Sequence, residues 1–473
     1  MTKSVLGKIT LGFADGKKEA TEMPEFWKYY YDGLGLNAQL SKMDKYLITG
    51  RKGSGKTLLA FYFAQNENEG EASCSTIESL QDLKYEAIAA FKKNNAVTED
   101  SQFWKFVIWT EYIKILLEDA ALTLDADLTA CLTYIQEIFP ERRSIYSIVN
   151  NGLQINLEAF SQKIGMGIEK KGEKIVIDMN ELVFDIERRA LRLSQRTSRK
   201  ITLFLDDLDS NYANSTNYIE SIKTFLLALA SVNDSLRLAN TMSRVVAIMR
   251  TDILNRINGA NIGKIKRDAQ IEIDWTTRIT LSTPVMKMLL NKIRQSLSLP
   301  SKFNNETIYN TIFPEMVKGE PAYKYILDRT MIRPRDLVSY IKFIVEEYPD
   351  ASSITSEMIL NVERKYSSYL KEELRNEMYG TFSDFYIESI FRLLKLLKLT
   401  SFGYSHISIA FDQYKANLGI DSLDECLSTM FDYGIIGNNT EKGYSFKYRD
   451  LDSVFMKSEQ IIIHPGLAKD ISR

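Results

Sequence analysis

The chain has 473 residues, 45% of them apolar, with 60 Lys and Arg set against 62 Asp and Glu; this length calls for roughly two to four domains, and the apolar fraction suffices to give each a core. So even a balance leaves no overall field to draw the molecule onto nucleic acid or an anionic membrane, and any such contact needs a local patch. Three scattered cysteines (Cys74, Cys131, Cys426) and two histidines (His406, His464) argue against a disulfide framework or a zinc site, while the lack of an apolar leader or of a run of about 18 apolar residues implies a cytoplasmic protein without a membrane span.

In chain order, the first informative element is Gly50-Arg51-Lys52-Gly53-Ser54-Gly55-Lys56-Thr57, which fits the phosphate-binding pattern G-x-x-x-x-G-K-[ST] at every fixed position. Tyr46 to Thr49 reads as a buried strand before it and Leu58 to Ala64 as a helix after it. In such a loop the glycines let successive backbone N–H groups curl around phosphates, Lys56 adds positive charge, and Thr57 offers its hydroxyl to Mg²⁺ at a helix N-terminus.

The second element is Ile201-Thr202-Leu203-Phe204-Leu205-Asp206-Asp207-Leu208-Asp209. Five strand formers followed by acids put Asp206 at the carboxyl end of a buried strand, where open parallel sheets place ligands. Asp206 is the expected Mg²⁺ partner and Asp207 the candidate for polarising the attacking water. No N-K-x-D element follows, since Asn291-Lys292 runs into Ile293-Arg294, so ATP is favoured over GTP.

About 150 residues separate Lys56 from Asp207, far more than one βαβ unit needs, so an insertion is expected at about 70–200. Its parts read as helical over Leu80 to Lys93, Phe103 to Leu117 and Leu128 to Phe139, with a strand or hairpin over Phe160 to Glu169. The aromatic run Phe103 to Trp109 could stack bases, but Ile108, Ile113 and Leu116 at helical spacing favour a core role. From Met179 to Arg199, Leu182, Ile186, Ala190 and Leu193 form one apolar stripe, and Arg188, Arg189, Arg192, Arg196 and Arg199 crowd the remainder. That basic face is either solvated or meets nucleic acid, an acidic partner or the nucleotide of a neighbouring subunit. A helix over Asn217 to Leu229 then leads to a strand over Ser243 to Arg250, whose terminal arginine suits a position beside a γ-phosphate.

With Gly50 to Thr57, Leu203 to Asp207 and Met249-Arg250 in this order, the chain resembles AAA+-like and STAND-type ATPases of bacteria, most of all those encoded in anti-phage and other conflict loci. The resemblance implies a P-loop NTPase with a doubly wound parallel sheet, ATP and Mg²⁺ as cofactors, and Arg250 as a sensor. Thr330-Met331-Ile332-Arg333-Pro334-Arg335-Asp336-Leu337 is similar to the element that opens a late lid helix in such families, which makes Arg333 or Arg335 a second sensor. Two departures are an Asp-Asp pair in place of Asp-Glu, and the long insertion.

The last hundred residues look like a winged helix, with helices over Phe385 to Leu399, Tyr404 to Asn417 and Ser422 to Tyr433 and a wing over Ile435 to Tyr448. The third helix carries Asp421, Asp424, Glu425 and Asp432 but no Lys or Arg, so phosphates should repel it. The sequence thus predicts an ATPase core over 1–275, a helical lid over 276–374 and a winged-helix module over 375–473. The whole reads as an ATP-driven switch in defence against phage, acting through a protein effector or a homo-oligomer. The alternatives are an initiator or loader ATPase on DNA and a scaffold with structural nucleotide.

Overall fold

The computed structural model describes residues 6–69, 73–81, 83, 88–89, 92, 100–118, 169–171, 174–176, 179–208, 216–276, 278–300, 302–379, 381–441 and 443–471. The chain forms two compact units. One holds Met1–Leu34, Lys52–Gly55 and Asp274–Arg473; the other holds Gly35–Arg51 and Lys56–Ile273.

The second unit is built on a five-stranded sheet. Its strands are β1 (Leu47–Gly50), β2 (Ser73–Ser79), β5 (Lys200–Asp206), β6 (Arg244–Arg250) and β7 (Gln270–Ile273), while β3 (Glu169–Lys171) and β4 (Lys174–Val176) form a separate antiparallel pair. The order is β2-β5-β6-β1-β7 and every pairing is parallel. Buried on both faces, such strands read as continuous apolar runs, and Ile201 to Leu205 and Val245 to Met249 are indeed buried throughout. Register sets Gly50 opposite Arg250 and Ser79 opposite Asp206, so four chemically distinct residues share the carboxyl edge of the sheet.

The helix Asp100–Glu118 carries the aromatic run, and its Phe103, Trp104, Phe106 and Trp109 are buried. Trp104 meets Phe225 of the helix Thr216–Leu238 edge to face at 5.2 Å. The rings are core, not a base-stacking surface. The helix Met179–Arg196 packs on the same aromatic helix through Leu182, Ile186, Ala190 and Leu193, all fully buried. The stretch expected as an insertion therefore supplies both an edge strand, β2, and part of the layer covering the sheet. Residues 128–139 and 160–168 lie outside the described residues, as does most of 80–93.

The first unit is mainly helical. Pro284–Ser296, Asn305–Ile312, Ala322–Asp328, Pro334–Glu347 and Ser356–Met378 follow one another, with proline in the first turn of the first and fourth and side-chain caps from Asn304 and Thr355 on the second and fifth. A two-residue pair, β8 (Met316–Val317) and β9 (Glu320–Pro321), bridges two of them. The N-terminal residues, read from sequence as part of the ATPase core, pack in this unit instead. The buried pair Glu19–Lys292, at 2.5 Å, and backbone bonds from Leu6 and Gly7 to Ala351 and Pro349 hold them there.

At the end of this unit come the helices Asp384–Leu397, Tyr404–Leu418 and Leu423–Asp432, close to the expected bounds. They accompany a four-stranded antiparallel sheet of β10 (Ser401–Phe402), β11 (Ile436–Thr440), β12 (Gly443–Ser445) and β13 (Gln460–Ile463), ordered β10-β13-β11-β12. Sequence reading missed β10 and β13. The first is too short to show a period, and the second, Gln-Ile-Ile-Ile, is a brief apolar run that no alternation betrays. Among the described residues no helix is long and apolar enough to cross a membrane.

Candidate nucleotide-binding site

β1 ends at Gly50 and the helix Lys56–Asn68 begins at the invariant-pattern lysine, so the strand, loop, helix order stands as read. In the sheet unit, Lys56 Nζ donates to the carbonyl oxygens of Gly50 and Arg51, each at 3.1 Å. Thr57 Oγ1 donates to Asp206 Oδ2 at 2.6 Å, joining the first turn of that helix to the end of β5. Asp206 is buried, and its other oxygen accepts the Asp207 N–H at 2.8 Å. Burial, then the neighbouring Asp207 charge, pushes the Asp206 carboxyl up to about 6, against the pull of Thr57, the Asp207 amide and Lys56.

Asp207 has φ of 62°, in the left-handed region that costs most L residues about 1–2 kcal/mol but that Asp tolerates. Its carboxylate Oδ2 accepts a hydrogen bond from Ser79 Oγ at 2.8 Å. Ser79 ends β2 and carried no signal in the sequence, since only sheet order brings it beside the acids. Arg250, the residue expected as a sensor, ends β6 beside Gly50 and donates to Asp252 at 2.6 and 3.0 Å.

The remaining loop residues, Lys52 to Gly55, belong to the helical unit. The Lys52 carbonyl accepts Arg333 Nη1 at 3.1 Å, the Gly53 carbonyl accepts the Arg335 N–H at 3.4 Å, and the Ser54 carbonyl accepts Trp275 Nε1 at 2.9 Å. Gly53 and Gly55 have φ of 79° and 91°. A Cβ on Gly53 would come 3.0 Å from Arg335 Cβ, so the close approach demands glycine, while the space beside Gly55 is open. Ser54 Oγ is buried with no hydrogen-bond partner among the described residues.

Arg333, one of the two second-sensor candidates, is almost fully buried and locked in place. It donates to both oxygens of Asp336, at 2.7 and 3.0 Å, and to Glu377. Burial alone lowers its affinity for a proton, but the two carboxylates outweigh that and hold the guanidinium charged. Arg335 bonds the Ala14 carbonyl and Glu373, both at 3.0 Å. The proline in the first helical turn was legible from sequence; the distant carboxylates Glu373 and Glu377 were not. Asn291 and Lys292 are engaged by Tyr29, Tyr30 and Glu19, which suits no role in base recognition.

On the helix Met179–Arg196, Arg188 and Arg189 both bind Asp185, at 2.5 and 2.8 Å, while Arg192 and Arg196 are exposed. Asp185 thus offsets two of the five arginines of that face. In the C-terminal segment Lys447 donates to the Ser453 carbonyl and Arg449 to Asp328.

Residues 284–375 match the family described as the FunZ-associated C-terminal helical domain. Over 314 residues, 61% of this chain and 42% of the relative, the sequence is 23% identical to the putative transposon gamma-delta 80.3 kDa protein of Escherichia coli K12. The chain therefore spans less than half the length of that relative. Among solved structures, the Aeropyrum pernix ORC1 protein in complex with DNA aligns over 93% of this chain and 92% of that one, at 9% identity and a TM-score of 0.39.

Proposed function

We propose that this chain is a Mg²⁺-dependent ATPase that works as a molecular switch. The observation that carries the reading is the Thr57–Asp206 contact at 2.6 Å, which unites two hard oxygen groups from the loop helix and the acidic strand. Such a pair suits Mg²⁺, which takes few protein ligands and keeps the rest for water and phosphate. The orphaned Ser54 hydroxyl and the open space beside Gly55 also fit a bound phosphate group. Mg²⁺, when bound, neutralises charge on the phosphates and links them to the protein.

The chain's own residues then divide the work. Lys56 exchanges its two carbonyl acceptors for phosphate oxygens. Thr57 and Asp206 hold the ion, which requires Asp206 ionised. Asp207, whose backbone is left-handed, orients a water through its carboxylate, with Ser79 fixing the rotamer. Arg250, at the end of β6, distinguishes ATP from ADP. In this reading 276–374 acts as a lid, with the helical-domain match over most of that span in support, and 375–473 as a winged-helix module. Defence against phage, through an effector or self-association, rests on the family resemblance.

The experiment is titration calorimetry of ATP with and without Mg²⁺, alongside phosphate release. Mg²⁺-dependent binding that Lys56→Ala abolishes supports the reading; binding indifferent to both refutes it, and binding without turnover leaves the scaffold. A second reading, an ATPase acting on DNA, draws on the similarity to a transposon protein. Duplex binding that falls steeply with salt would favour it.

A further inference from the structure

We infer that Trp275 and Arg333, with the backbone N–H of Arg335, are positioning groups that aim the phosphate-binding loop from behind. The inference rests on the reading of Gly50 to Thr57 as a nucleotide site. In a planar trans peptide the C=O of one residue and the N–H of the next point in opposite directions. Fixing the carbonyls of Lys52, Gly53 and Ser54 therefore fixes the N–H groups of Gly53, Ser54 and Gly55 on the opposite side. Those three carbonyls each take one donor from the same helical unit: Arg333 at 3.1 Å, the Arg335 amide at 3.4 Å and Trp275 at 2.9 Å. No protein acceptor among the described residues takes the three N–H groups they orient. Donors preset in this way need no reorganisation when a phosphate arrives.

Two further features show that the donors themselves are held. Arg333 sits in a buried cage of Asp336 and Glu377, which leaves it charged and confines its guanidinium to one direction. The residue before it, Ile332, has φ of 53°, a conformation costly for a β-branched side chain. That strain turns the chain so that Arg333 faces the loop and Pro334 starts the helix. Trp275 is buried and spends its only donor on Ser54. In this inference Arg333 serves the loop's backbone, a role distinct from that of a second sensor.

The test is Trp275→Phe in the full chain, which keeps an aromatic ring and deletes the N–H. Losing one neutral hydrogen bond should weaken Mg·ATP and Mg·ADP alike by about 2- to 10-fold, because the loop amides serve phosphates common to both. Hydrogen exchange over residues 50–57 without nucleotide should quicken. A folded variant with unchanged affinity for both nucleotides overturns the inference, as does a loss confined to ATP. Should Trp275→Phe fail to fold, 3-benzothienylalanine at position 275 replaces N–H by sulfur at nearly constant volume and is read in the same way. Wild-type protein that binds neither nucleotide would instead refute the nucleotide site itself.

Discussion

Replacing Asp206 by Asn should stabilise the nucleotide-free protein while removing its response to Mg·ATP. Asp206 is buried beside Asp207, and its carboxyl is raised from 3.8 to about 6. At about 1.4 kcal/mol for each tenfold change in affinity for the proton, keeping it ionised above pH 7 costs the folded state roughly 3 kcal/mol. The folded carboxyl titrates above the unfolded one, so the cost is absent below about pH 4, grows as the pH rises through 6, and is then constant. A neutral amide escapes it, and its oxygen can still accept from Thr57 or the Asp207 N–H. Urea denaturation at a series of pH values measures the difference. The variant's advantage should be about half developed at pH 5 and nearly complete by pH 7. With saturating Mg·ATP the order should reverse, because only the carboxylate holds the ion. Equal stability at pH 7.5, or an advantage that ignores pH, would refute burial of this charge as its source.

Lys56→Ala should abolish ATP binding, whereas Asp207→Asn should keep binding and lose most turnover, as calorimetry and phosphate release will register; normal turnover in the latter moves the catalytic role to another acid such as Asp209. Arg250→Ala should weaken ATP relative to ADP by about 10- to 100-fold, the worth of a charge-assisted hydrogen bond, and an unchanged ratio removes its sensor role. Arg333→Met leaves Asp336 and Glu377 buried without their cation and should cost about 3–5 kcal/mol in denaturant unfolding, so a loss below about 1 kcal/mol would show the cage to be dispensable. Residues 376–473 hold 10 Lys and Arg against 13 Asp and Glu, and Lys447 and Arg449 are engaged internally, so any duplex binding by the full chain should come from elsewhere. If Arg192 and Arg196 supply it, replacing both with Ala lowers the salt slope by about two; no change in slope clears that helix.

The loop, the acidic strand and the strand ending in Arg250 were legible because each is local. A fixed spacing around glycine, or five buried strand formers before an acid, states its chemistry within ten residues. The apolar stripe of Met179–Arg196 and the core role of the aromatic helix followed from period alone. Tertiary structure decided which groups meet. Ser79 joins Asp207 only because β2 lies beside β5, whereas Asp185 meets Arg188 and Arg189 one turn on along its own helix, a pairing that local spacing already allows. Arg-Pro-Arg-Asp at a helix start makes Arg333 and Arg335 equal candidates for a second sensor from sequence. Glu377, more than forty residues on, turned one of them inward. A charged side chain takes its role from the partner that offsets its desolvation, and that partner is set by packing across the chain, where no local pattern reaches.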